Sequence, residues 1–160
     1  QMQLWAAVEA AVSGVALPSP SLEKPRVFLS HAVDDEAEIY PALHVLKEQY
    51  GLSPFICSES IQPGRNWHAE INTYLEKSDL FLTLSSRALS RSTYCAFEAG
   101  MAMALEKELR IVALDDSTLP AHLNHLQAVS VSRLMERKPW LHRDDAILDA
   151  ILLALGHGQN

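Results

Sequence analysis

Cysteine is scarce: the chain has two in 160 residues, Cys57 and Cys95. Neither belongs to a C-x-x-C pair. The favoured reading is two free thiols in a reducing, cytoplasmic compartment. No Cys/His spacing resembles a zinc site. His122 and His125 sit three apart and could share a helical face, but no third ligand is near in sequence, so no metal is expected. Basic charge is also short. Thirteen Lys and Arg face twenty Asp and Glu, for a net charge of -7. That argues against nucleic acid as the main ligand and against an anionic membrane surface. No apolar run is long enough to span a bilayer. The opening "QMQLWAAVEAAVSG" has no basic flank before its apolar stretch, which argues against a secretory signal. There are no internal repeats and no low-complexity tract.

What is present suits one domain around a single core. Leu4 to Val12 reads as a short alanine-rich helix. "SGVALPSPSLEKP" follows, with Pro18, Pro20 and Pro25, a linker composition. Residues 1–25 are therefore read as a helix and linker, and 26–156 as the compact domain.

From Arg26 strands and helices alternate. "RVFLS", "PFIC", "DLFLTLSS", "LRIVALDD" and a weaker "AVSVS" read as strands. "DDEAEIYPALHVLKEQY", "WHAEINTYLEKS", "STYCAFEAGMAMALEKE" and "RDDAILDAILLAL" read as helices. "SESIQPGRN" is a loop marked by Pro63 and Gly64. The alternation predicts an α/β fold: a flavodoxin-like three-layer sandwich with a five-stranded parallel sheet in the order 2-1-3-4-5. Ligands of such sheets bind where the winding reverses, at the carboxyl ends of the first and third strands. Those ends are Ser30-His31 and Ser85-Ser86.

Glu98 is the only charge between Tyr94 and Leu105. Its bland reading is an exposed carboxylate, or one paired with Arg87 or Arg91. The topology instead points the start of its helix at the predicted crevice. Tyr94 lies four residues earlier, within reach on the same helical face. The small residues of "AGMAMA" read as packing, and Cys95 as a packed thiol. Ser85 and Ser86 have a bland reading too, as turn or helix formers.

Four stretches in order carry a resemblance: "VFLSHAVDDE", "FICSESIQPGRNW", "SDLFLTLSSRALSRSTYCAFE" and "ELRIVAL". Together they resemble the Toll/interleukin-1 receptor (TIR) domain, and its bacterial members in particular. The resemblance implies an enzyme that cleaves the nicotinamide–ribose bond of NAD, with NAD as substrate and no cofactor. It maps the catalytic glutamate onto Glu98 and a neighbouring aromatic onto Tyr94, where many relatives have tryptophan. It implies a pocket lined by Ser30 and His31, and the strand-end position of Ser85 and Ser86 in the expected topology adds them as ligand contacts. Cys57 stands where relatives commonly have an acidic residue, with Glu59 as a possible substitute. The loop Ser58–Asn66, with Ile61, Pro63, Gly64, Arg65 and the adjoining Trp67, is implied to mediate self-association. The leading helix and proline-rich linker suggest either attachment to another domain, a fused or partner sensor, or a local docking element. The implied setting is bacterial antiphage immunity, with linear or cyclic ADP-ribose as product. Two other functions compete with this one: a non-catalytic TIR–TIR scaffold, and a nucleoside-transferring enzyme on a similar sheet.

Overall fold

The computed structural model describes residues 24–56 and 66–156. In chain order these form β1 (Val27–Ser30), a 3-10 turn (Val33–Asp35), α1 (Glu36–Tyr50), β2 (Phe55–Ile56), α2 (Trp67–Lys77), β3 (Leu80–Ser85), α3 (Arg87–Ser90), α4 (Thr93–Ala104), β4 (Glu108–Ala113), β5 (Ala128–Ser130), α5 (Val131–Arg137) and α6 (Arg143–Ala154). The expected Leu4–Val12 helix lies outside the described residues, as do Cys57, Ile61, Pro63, Gly64 and Arg65.

All strand pairs are parallel, and the sheet order is β2-β1-β3-β4-β5. This is the flavodoxin-like order read from the alternation. Every side chain of β1 and β3 is buried. Central parallel strands covered on both faces call for such apolar runs.

The strand period of two sorts these side chains onto two faces. Val27, Leu29, Leu80, Leu82 and Leu84 face α1 and α6, meeting Ile39, Leu43, Leu46, Ile147 and Ile151. Phe28 and Phe81 face the other way, meeting Ile71 and Leu75 of α2 and Ala99 and Ala102 of α4. Burying each large aliphatic side chain contributes about 1.5–3 kcal/mol. Small residues on α4 let its backbone lie close to the sheet.

Helix ends follow local chemistry. Gly51 closes α1 in the left-handed region, at φ 62, a conformation that costs glycine no steric penalty. Arg143 at the start of α6 donates to Leu114 O at 2.6 Å and pairs with Glu38, tying α6 to α1 and to the end of β4.

Several elements stop earlier than their sequence patterns suggest, and side-chain caps explain two of them. "DLFLTLSS" ends as a strand at Ser85, because Ser86 caps α3 and accepts from Leu89 N at 3.0 Å. "AVSVS" ends as a strand at Ser130, whose hydroxyl accepts from Arg133 N at 3.2 Å and opens α5. α4 stops at Ala104, and Glu106 turns the chain toward β4 with φ 56.

Candidate active site

The site is built on the Phe28/Phe81 face of the sheet. Continuing the period of two, Ser30 on β1 and Thr83 and Ser85 on β3 point to that same face. Ser30 and Thr83 are register partners. All three are buried.

α4 packs on this face of the sheet, with Ala99 and Ala102 against Phe28 and Phe81. Ser92 starts it, accepting from Cys95 N at 3.1 Å, a cap worth about 1 kcal/mol. The helix buries Cys95, Glu98, Ala99 and Ala102, the three-and-four spacing of a face turned inward. The one carboxylate of the segment therefore sits on the packed side of its helix, at 2% exposure.

Ser30 Oγ donates to Glu98 Oε1 at 3.1 Å. Glu98 Oε2 has no hydrogen-bond partner among the described residues. The bland reading, an exposed carboxylate or one held by Arg87 or Arg91, does not describe this side chain. Burial drives its pKa from the ordinary 4.5 up to about 8, and the Ser30 hydrogen bond only partly opposes the rise. Near neutral pH the ligand-free carboxyl is thus mostly protonated. Burying a carboxylate is costly, so it keeps its proton until something makes the charge worthwhile.

The other residues singled out in the sequence divide into groups. Cys95 is buried, and its thiol lies 3.4 Å from His31 O as a donor. Burial raises its pKa, as suits a packed thiol rather than a nucleophile. His31 directs Nε2 to Glu36 Oε1 at 3.2 Å, so its ring meets the start of α1. Ser86 caps α3 and donates to Asp35 Oδ2, which is the structural role weighed above. Burial raises the pKa of Asp35, and the Ser86 hydrogen bond opposes that rise. Ser85 Oγ, by contrast, is buried with no hydrogen-bond partner among the described residues.

Tyr94 is 36% exposed and packs its ring 4.7 Å from that of Trp67. Trp67 opens α2, immediately after the loop. Its ring also meets Phe97 at 5.4 Å, and His68 lies 4.8 Å from Phe97. Two members of this aromatic group, Phe97 and His68, were missed in the sequence. Phe97 could have been found, because it lies three residues after Tyr94 and so shares a helix flank with it. His68 carried no such signal.

A small apolar pocket opens on the opposite face, between α1, α6 and the start of β1, lined by Pro25, Val27, Leu43, Leu46, Leu52 and Ile151. It contains no titratable side chain, so it is not where this chemistry lies. Among the described residues no group of three His, Cys, Asp or Glu is placed to hold a metal ion. Nor is any helix long and apolar enough to cross a membrane.

Comparison with known proteins bears on the fold and the family. The TIR domain of the Toll-related receptor TRR-2 from Hydra magnipapillata is similar at a TM-score of 0.60 and 16% identity, over 73% of this chain and 96% of that one. The TIR domains of the activated Roq1 resistosome, which directly recognises the pathogen effector XopQ, are similar at a TM-score of 0.50 and 17% identity, over 79% and 83% of the two chains. A 2-desoxiribosyltransferase from Leishmania mexicana matches at a TM-score of 0.43 and 22% identity, over 57% and 66%. No curated protein matches the chain. A family model described as "TIR domain" matches residues 27–144, from the first residue of β1 into the first turn of α6. The chain belongs to the TIR domain family.

Proposed function

We propose that this TIR domain cleaves the bond between nicotinamide and ribose in NAD, with Glu98 as its catalytic residue. The family includes NAD-cleaving enzymes as well as scaffolds. One observation favours the enzymatic reading: a carboxyl 2% exposed, with one oxygen held by Ser30 and the other unpaired among the described residues, at the carboxyl end of the central strands. A scaffold has no use for that arrangement, because a buried, half-satisfied carboxyl costs stability.

The chemistry follows from charge. The nicotinamide ring of NAD is cationic while bonded to ribose. When the C–N bond breaks, its electron pair goes to the ring nitrogen, and the ring leaves neutral. The sugar carbon left behind turns positive, as in glycoside hydrolysis. Little acid assistance is needed. An anion beside the sugar is needed, and it acts most strongly where water is excluded. A pyridinium ribose brought against Glu98 favours the ionised carboxyl. Binding then releases the Glu98 proton to solvent and leaves the anion that the transition state requires. Capture of the sugar by water gives ADP-ribose and releases a proton. Capture by a hydroxyl or adenine nitrogen of the substrate itself gives a cyclic product.

The aromatic group at Trp67 and Tyr94 offers ring surfaces for a base to stack on, next to the loop that precedes α2. Self-association through Ser58–Asn66, a partner sensor domain and a role in bacterial antiphage immunity complete the proposal. They rest on the family resemblance.

Glu98 is nearly closed to solvent, so a sugar reaches it only when the surrounding side chains give way. In this proposal self-association completes the site, so dilute protein should be slow. Incubation with NAD at rising protein concentration, with products separated by chromatography, should release nicotinamide faster than linearly in protein. If concentrated, folded protein leaves NAD intact under assembly-promoting conditions, the scaffold reading replaces this one.

A further inference from the structure

Two buried polar atoms on this side of the sheet lack hydrogen-bond partners among the described residues: Glu98 Oε2 and Ser85 Oγ. Both belong to side chains 2% exposed. Buried polar groups are nearly always paired, so each orphan asks for an explanation. Here the two lie on one face of the sheet, Glu98 against Ser30 at the end of β1 and Ser85 at the end of β3. Ser30, which holds Glu98, is in register with Thr83. Ser85 lies two residues further along β3 on the same face, about 7 Å toward the carboxyl end.

The neighbouring serines show that this is not a general shortage of partners. Ser30 bonds Glu98, while Ser86 bonds both Leu89 N and Asp35. Only Ser85 is left over. Its carbonyl accepts from Leu114 N at 2.8 Å. The end of β3 is therefore tied to the residue after β4, while among the described residues the hydroxyl has no partner.

We propose that Ser85 is a second binding residue of the Glu98 site, its hydroxyl donating to an oxygen of the same ribose whose hydroxyl donates to Glu98 Oε2. The sugar is thus gripped from β3 as well as from α4. This deepens the NAD-cleaving reading and rests on it. Ser85 has no part in the charge change at the sugar carbon, so its contribution is to binding.

Ser85→Ala tests the idea in two independent measurements on the full chain. The first is thermal unfolding without ligand. An unpaired buried hydroxyl contributes nothing to the ligand-free fold, so the variant should melt at the wild-type temperature or higher. The second is steady-state cleavage of NAD, where KM should rise about 5- to 10-fold with kcat within about twofold of wild type. A variant that melts several degrees lower has lost a structural hydrogen bond, and that outcome overturns the assignment. A stable variant with unchanged KM overturns it as well, while leaving NAD cleavage by Glu98 in force. Wild-type protein that neither binds nor cleaves NAD overturns the underlying reading and this assignment together.

Discussion

Replacing Glu98 by glutamine is expected to cut NAD cleavage by at least about 100-fold while leaving the fold intact. Glutamine has the size and shape of the protonated acid that Glu98 mostly is near neutral pH. It can still accept from Ser30, so the resting site is hardly disturbed. What it lacks is the ability to become an anion when the cationic substrate arrives. Removing a preorganised group aimed at developing charge typically costs two to three orders of magnitude in kcat, or about 3–4 kcal/mol. KM should change less than kcat, because the charge matters most in the transition state. Steady-state kinetics with circular dichroism as a folding control reads both. A variant that retains more than about a tenth of wild-type kcat would remove Glu98 from the chemistry.

The same substitution is expected to change how stability depends on pH. Burial places the folded-state pKa of Glu98 at about 8, above the 4.5 of an ordinary glutamate. The folded protein therefore holds this proton more tightly than the unfolded chain does. The resulting stability is fully present below about pH 4.5, declines as pH rises, and is gone above about pH 8. Across that window the gap corresponds to up to about 5 kcal/mol. Glutamine does not titrate. Comparing the two proteins isolates residue 98 from every other group. Their melting temperatures should nearly coincide at about pH 5 and diverge as pH rises, with the variant ahead by on the order of 10 °C at about pH 9. Parallel melting curves across this range would show that the carboxyl is solvated in the folded protein. A solvated carboxylate could not act in the dry site proposed here.

The two effects have one cause. A carboxyl kept from water is poor for stability and good for stabilising a sugar cation, the usual conflict at functional sites. The fold sustains it because the surrounding core is extensive. Phe28, Phe81, Ile71 and Leu75 are fully buried just below the site.

The sheet order was legible in the sequence because apolar runs and amphipathic stretches alternate with few ambiguities. Runs such as LFLTLS, buried throughout, cannot be surface strands. The boundaries were less legible. Ser86 and Ser130 continue β patterns in sequence but act as helix caps. A cap is a local hydrogen bond that hydropathy does not register. α3 and α5 have 4 and 7 residues and were missed, being too short to show a helical period.

The site was legible in part. The isolated Glu98 and its topological partner Ser30 were singled out from different parts of the chain, and their side chains meet. The face that Glu98 occupies was harder to read. Tyr94, four residues away, stays 36% exposed while Glu98 is buried, so helical spacing alone did not separate a flank from the packed face. Ser85 and Ser86 were equivalent in sequence. Ser86 is consumed by a cap and a carboxylate, and Ser85 is left unpaired among the described residues, a distinction that depends on three-dimensional neighbours.

The most direct test of the central claim is a crystal structure of the Glu98→Gln protein soaked with NAD. The expected result is intact NAD with the hydroxyls of its nicotinamide ribose within about 3 Å of the residue 98 side chain. NAD bound with that ribose away from residue 98, on the opposite face of the sheet or among the exposed loops, would contradict it.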